Sequence, residues 1–170
     1  MAAPRVELIT IGDELLKVHV SYGPLVQSLL KKFNRAGRPR VKGLAHITGG
    51  GFPDNIPRVL PKGFGARINL AAVPVLPVFK WLADAGGIAQ NEMLRTFNMG
   101  VGLIVVVPAD KFRKAQTLLT RAEEKFHVIG RIIKSDKNDK DGRKVHFAWA
   151  LQHLSGWGFC FRAVGRIFWQ

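Results

Sequence analysis

The apolar positions of this chain switch between helical and strand-like spacing. Between residues 20 and 36, Leu25, Val26, Leu29, Leu30 and Phe33 recur at three- and four-residue intervals, which predicts an amphipathic helix with Ser21 as N-cap and Gly37 past its end. Val41 to Ile47 reads as a buried strand that delivers a glycine run, and the short helix after it stops near Pro61. A strand is expected over Ala66 to Leu70. Pro77 to Ala85 predicts a further helix with Val78, Trp81 and Leu82 turned inward and Gly86 and Gly87 ending it. Asn91 to Phe97 predicts another, shorter one.

Gly102 to Pro108 is the strongest strand signal: β-branched, uninterrupted, and suited to the centre of a sheet covered on both faces. Asp110 to Glu124 is expected to be helical with Phe112, Ala115, Leu118 and Leu119 on one face. Phe126 to Lys134 follows as a strand in which Gly130 marks a bulge. The polar turn Asp136 to Gly142 leads into a last strand, Arg143 to Phe147. Strands alternating with helices predict an α/β (α+β) domain, a mixed β-sheet layered with helices. There are no internal repeats.

Composition narrows the class without naming it. With 170 residues and 47% hydrophobic content, the chain suits one domain and can bury a sizeable core. Its single cysteine, Cys160, cannot form an internal disulfide or a cysteine-based metal cluster, so a reducing cytoplasm is the simplest home. The start, with Glu7 early and no long apolar run, does not read as a secretory signal. Residues 148–170 hold three of the four tryptophans and no acid, and their uncharged runs are too short and glycine-broken to span a membrane. They read as a divergent or non-native tail, residues 1–9 as a leader of uncertain origin, and 10–147 as the domain.

The formal charge of +14 invites a nucleic-acid reading. Basic residues crowd two stretches, Lys31 to Lys42 with no acid, and Lys111 to Lys144. Aromatic residues are not interleaved with them, and no helix-turn-helix, zinc-finger or RRM pattern appears. A solvated basic surface is therefore the preferred reading, and nucleic acid is not the expected partner.

The chemistry concentrates in Ala45-His-Ile-Thr-Gly-Gly-Gly-Phe-Pro-Asp-Asn-Ile-Pro-Arg58. Gly49, Gly50 and Gly51 remove every Cβ that would keep an anion from the backbone, and they permit positive φ. His46, Thr48, Asn55 and Arg58 supply polar groups around them. From the residues alone the run is either an anion cradle or a plain turn, and Asn55 either caps the next helix or touches a ligand. His46 is either a structural residue closing its strand or one that positions substrate or shuttles a proton. His19, His127, His146 and His153 lack paired metal-ligand spacing, so no metal site is expected in this chain.

Taken whole, His46 to Pro61 resembles the glycine-rich segment of phosphoribosylformylglycinamidine cyclo-ligase, the aminoimidazole ribonucleotide synthetase family. A second run, Arg95-Thr-Phe-Asn-Met-Gly-Val-Gly102, is similar to that family's Arg-Thr-Phe-Asn-Cys-Gly-Val-Gly segment, with Met99 in place of the frequent Cys. Pro77-Val-Phe-Lys-Trp-Leu82 lies between the two, as a similar segment does in the family. The resemblance covers roughly Thr10 to Phe147 and implies the family's C-terminal domain.

It further implies ATP-dependent ring closure of formylglycinamidine ribonucleotide to aminoimidazole ribonucleotide in purine synthesis. The substrate phosphate would be held by Thr48, Gly49, Gly50, Gly51, Asn55 and Arg58, with Thr96, Asn98 and Gly100 as a second ligand-binding set and His46 as the catalytic candidate. ATP and Mg²⁺ would bind mainly outside this chain, on the N-terminal half that the resemblance does not cover, and the full enzyme would be a homodimer. Leu16-Lys-Val-His-Val-Ser-Tyr22-Gly-Pro departs from the family's Leu-x-Pro-Thr-x-Ile-Tyr-Val-Lys, which puts a substrate contact from this segment in doubt. The alternatives are a fold relative of formylglycinamidine ribonucleotide synthetase, selenophosphate synthetase or hydrogenase maturation type, or a basic nucleotide- or nucleic-acid-binding module without catalysis.

Overall fold

The computed structural model describes residues 21–34, 39–135 and 145–148, together with the backbone of residues 6–11. In chain order the elements are Val6–Ile11 (β1), Gly23–Phe33 (α1), Gly43–His46 (β2), Gly51–Asn55 (α2), Phe64–Asn69 (β3), Pro77–Gly86 (α3), Gln90–Thr96 (α4), Leu103–Pro108 (β4), Phe112–Arg121 (α5), Phe126–Lys134 (β5) and Val145–Ala148 (β6). The strands form one sheet in the order β2-β4-β1-β5-β3-β6, antiparallel at every pairing but the last, where β6 runs parallel to β3. This is the mixed, helix-layered α/β sheet that the alternation of elements predicts.

Strand β4 explains why the domain has two cores. Its side chains alternate faces, and both faces are covered. Leu103, Val105 and Val107 pack with Leu25, Leu29 and Phe33 of α1 and with Ala115, Leu118 and Leu119 of α5. On the opposite face Ile104 and Val106 join Ile47, Phe52, Ile56, Phe79, Met93 and Leu94 under α2, α3 and α4. Full burial of a large apolar side chain contributes about 1.5–3 kcal/mol, so a strand buried on both sides is worth more than any edge strand here.

Several elements depart from the sequence reading for identifiable reasons. Helix α1 starts at Gly23, with Tyr22 rather than Ser21 at the N-cap and no side-chain cap bond. Pro24 sets this start, because a residue with fixed φ and no N–H fits only the first turn. Gly37 lies outside the described residues. Helix α5 is shorter than Asp110 to Glu124: residues Ala109–Lys111 form a 3₁₀ turn before it. It ends where Glu123 takes φ 57°, with Glu124 N–H donating to Leu119 O at 3.0 Å and Glu123 N–H to Thr120 O at 3.1 Å. No glycine marks that stop.

Helix α3 is turned differently from the expectation. Phe79 and Ala83 are buried, Leu82 packs partly against the core, and Trp81 is 66% exposed with Val78 beside it on the outer face. Gly87 ends the helix as expected, at φ 56°, with Ile88 N–H closing back onto Ala83 O at 2.9 Å. Strand β2 is an edge strand, shorter than Val41 to Ile47, though Lys42 and Ile47 extend its ladder to β4.

Strand β1 received no element in the sequence reading, yet it lies between β4 and β5. Leu8 faces Gly130 and Ile9 faces Val128, so Ile129 is the extra residue of a bulge beside Gly130. A Cβ on Gly130 would come within 2.2 Å of Arg67 O, which explains the glycine. The turn Asp136 to Gly142, residues 143–144 of the last expected strand, and residues 149–170 lie outside the described residues. Among the described residues no helix is long and apolar enough to cross a membrane.

Candidate functional site

The two glycine-bearing segments leave the sheet at the same end. His46 at the close of β2 faces Leu103 at the start of β4, and Ile47 N–H donates to Gly102 O at 2.8 Å. The chain then folds into a tight turn in which Gly51 N–H returns to Thr48 O at 2.9 Å. Gly50 sits at φ 90° and ψ −7°, the third position of a type II turn, where glycine is required.

Asn55 determines which way this loop presents its peptide groups. The side chain is only 5% exposed, and its Nδ2 donates to Gly51 O at 2.8 Å, Gly49 O at 3.2 Å and Thr48 O at 3.4 Å. In a trans peptide the N–H points opposite to the C=O of the preceding residue. Drawing the Thr48 and Gly49 carbonyls inward therefore turns the Gly49 and Gly50 N–H groups outward. Neither has a backbone acceptor among the described residues. Gly49 is exposed, and a Cβ there would meet nothing within 4 Å, so packing does not account for its being glycine.

Arg58 continues the same network, its Nη1 donating to Asn55 Oδ1 at 3.3 Å while the side chain stays exposed. Thr48 is exposed at the mouth of the turn. His46 is exposed as well, with its ring edge-on to Tyr22 at 5.8 Å between centroids and 68° between planes.

Gly51 joins the first segment to the second. It is buried at φ 52°, and a Cβ on it would lie 1.9 Å from Leu94 O and 3.1 Å from Phe97 O. The glycine turn is thus seated on the last carbonyls of α4, where the Thr96 to Gly100 segment begins. Asn98 organises that segment: its Oδ1 accepts from Gly100 N–H at 3.0 Å, and its carbonyl accepts from Val101 N–H at 2.9 Å. Met99 and Gly100 both take positive φ, 56° and 94°, the signature of a type I′ turn. Gly100 backs against Leu76, whose Cγ would stand 2.7 Å from an added Cβ. Thr96 is exposed at the end of α4.

All the residues singled out in the sequence therefore fall at one end of the sheet, in two turns that share the Gly51 contact. Sequence reasoning placed Tyr22 only in a segment whose substrate contact is in doubt, whereas the fold sets it against His46, and it gave no place to the Leu94 and Phe97 carbonyls. A main-chain partner leaves no trace in residue type, although the run of three glycines is what such a close approach demands. Among the described residues, no group of three or more His, Cys, Asp or Glu side chains converges as a metal ion would need.

The comparisons with known proteins agree with this architecture. Two crystal structures of HypE from E. coli, one titled a hydrogenase maturation protein, superpose at TM-scores of 0.61 and 0.56 with 21% and 22% identity. Each covers 87% of this chain and 47% of the HypE chain. Thiamine-monophosphate kinase from Stenotrophomonas maltophilia K279a matches at a TM-score of 0.49 and 14% identity, over 86% of this chain and 50% of its own. The chain thus spans about half the length of these solved structures, and the HypE likeness speaks to the fold alone. The family described as AIR synthase related protein, C-terminal domain, matches residues 6–141. That match runs from β1 through both turns to the end of β5 and beyond, and on it the chain belongs to the AIR synthase related proteins, as their C-terminal domain.

Proposed function

We propose that this chain is the C-terminal half of an ATP-dependent cyclo-ligase that converts formylglycinamidine ribonucleotide to aminoimidazole ribonucleotide. In this reading the Gly49 and Gly50 N–H groups bind the substrate phosphate, the Thr48 hydroxyl and Arg58 guanidinium add donors, and Asn55 holds the turn in its binding shape. Thr96 and Asn98, at the end of α4 and on the adjoining turn, would supply the second set of ligand contacts. His46, which is exposed, would in this reading handle a proton moving on or off the amidine.

The chemistry sets what the site must do. An amide oxygen leaves poorly, so phosphoryl transfer from ATP first converts it to an iminophosphate. The amidine nitrogen then attacks that carbon, the C–O bond breaks and phosphate departs, closing the ring. Fixing the ribonucleotide by its phosphate would hold the amide oxygen in place for phosphoryl transfer from ATP and the amidine in the geometry of ring closure, where positioning supplies most of the rate. Among the described residues no group of three or more His, Cys, Asp or Glu could hold Mg²⁺.

The observation that carries the reading is the Asn55 brace: it turns consecutive amides of the first motif outward, beside the second motif. The motif resemblance, extended over both turns, favours the cyclo-ligase over other members of the fold. The test is to combine this chain with a separately expressed N-terminal half and assay for product dependent on ATP and formylglycinamidine ribonucleotide. Product formation by the mixture and by neither half alone is expected. Stable association without turnover counts against the assignment.

A further inference from the structure

The first basic stretch and the start of the second lie far apart in sequence but meet in the fold. Lys31 and Lys32 occupy the last turn of α1 and are exposed. One residue past the helix, Asn34 Oδ1 accepts from Arg40 N–H at 2.8 Å and Val41 N–H at 3.1 Å, which ties that helix end to Arg40 and Lys42. Lys42 N–H in turn donates to Val106 O at 2.8 Å, so this segment runs beside the exit of β4. From there the chain passes through Asp110 and Lys111 into the first turn of α5, with Arg113 and Lys114 exposed. The shared core of Leu29, Phe33, Val41, Val107 and Ala115 holds the three pieces together. The acid at this corner, Asp110, is ion-paired with Lys111, and Arg40 also acts on its carboxylate.

We infer that this corner, built from Lys31, Lys32, Arg40, Lys42, Arg113 and Lys114, is a binding surface for the phosphate backbone of double-stranded nucleic acid. Several cations grouped at one helix end, one loop and one helix start match a line of regularly spaced phosphates better than a single small anion. The large exposed apolar residues, Val78, Trp81 and Val128, lie on α3 and β5 and not at this corner. Among the described residues this corner therefore shows neither the apolar anchor that interfacial membrane binding uses nor the aromatic platform that unpaired bases stack on. Recognition is by charge and shape, without reading of base sequence.

The experiment measures binding of the full chain to a fluorescent duplex of about 20 base pairs while KCl rises from about 50 to about 200 mM. With four or five phosphates neutralised, the log–log salt slope is expected near −4, since each contributes about −0.9. The quadruple variant Lys31→Glu/Lys32→Glu/Arg113→Glu/Lys114→Glu should lose roughly 100-fold in affinity and most of the slope. A control of equal charge change on β3, β5 and the turn before β3, Lys62→Glu/Arg67→Glu/Arg131→Glu/Lys134→Glu, should lose less than about threefold. Should charge reversal unfold the corner, the four Gln substitutions replace it, with an expected loss of about tenfold. Equal losses in corner and control variants would show attraction by net charge only and overturn the site. Binding to phosphatidylserine vesicles but not to duplex overturns the choice of partner.

Discussion

A Cβ on Gly51 would stand 1.9 Å from the carbonyl oxygen of Leu94. This contact fixes how the two motif segments lie against each other, and it separates the glycines by role. Gly51→Ala forces α2 off the end of α4 and puts a side chain at positive φ. A left-handed conformation costs about 1–2 kcal/mol and overpacking about 1–3 more, so a loss of about 3 kcal/mol is expected. For a domain of this size that lowers the melting temperature by roughly 6–12 °C. Gly49→Ala, at an exposed position with nothing within 4 Å of the added Cβ, should change stability by less than about 0.5 kcal/mol. In the reconstituted enzyme it should raise KM for the ribonucleotide, because the methyl group intrudes on the outward amides. A normal KM would remove Gly49 from the phosphate site.

Asn55→Asp tests the brace by replacing a single heavy atom, the amide nitrogen, with oxygen. Asn55 uses its amide as a donor to the Gly51, Gly49 and Thr48 carbonyls, and an ionised carboxylate has no proton to give. Three carbonyl oxygens would instead face a buried anion, at a cost of at least about 2–3 kcal/mol near neutral pH. The protonated acid restores one bond, so the folded-state pKa of the introduced Asp lies above its unfolded value. A raised pKa means the variant's stability is retained below the unfolded pKa and lost as pH rises through the folded one. The variant should therefore melt closest to wild type in acid and diverge toward neutrality, as denaturation scans across pH will record. A pH-independent difference would mean that the amide does not brace the turn.

The parts of this fold that could be read from sequence are those where residue type leaves one solution. Strand β4 is such a case: Leu103 to Val107 is apolar on every residue, and only a strand covered on both faces buries all of it. Helix α3 is the opposite case. Pro77 to Ala85 is apolar nearly all round, with only Lys80 and Asp84 polar, so periodicity does not select which side turns inward. Strand β1 is hard to read although Pro4 and Gly12-Asp13 flank it, because the apolar-polar alternation of Val-Glu-Leu-Ile-Thr-Ile breaks at Leu8 and Ile9 and the strand depends on β4 and β5 for pairing. At the candidate site, residue types located the two turns. The direction of their peptide groups was not legible, because it follows from the Asn55 hydrogen bonds and the α4 carbonyls rather than from the glycines themselves.

The orientation of α3 yields a direct comparison between neighbouring aromatic residues. Phe79 is 4% exposed and packs at 5.6 Å from the Phe97 ring, whereas Trp81 is 66% exposed. Phe79→Ala should cost about 3–5 kcal/mol. Trp81→Ser should cost about 0.5 kcal/mol or less, despite removing the larger ring. Urea unfolding of both variants checks this, and a large loss from Trp81→Ser would restore the inward placement that the sequence suggested.

The Asp110–Lys111 pair gives a charge prediction whose sign is opposite to that of Asn55→Asp. The hydrogen bond from Lys111 is the main reason the Asp110 carboxyl lies below the ordinary carboxylate range; the Lys111 charge and Arg40 act in the same direction, and partial desolvation opposes them. A depressed folded pKa stabilises the native state above the unfolded pKa, and that stability is lost as pH falls through the folded value. The group is fully exposed, so salt screens the effect and the melting temperature should not register it. Site-resolved NMR titration is the suitable measurement. The Asp110 midpoint should lie below that of a model peptide, move up in Lys111→Ala, and move up by less in Arg40→Ala. Raising KCl should shift wild type toward both variants. An Asp110 midpoint unchanged in Lys111→Ala would mean that the pair does not persist in solution, leaving that carboxylate free to repel an approaching phosphate at the basic corner.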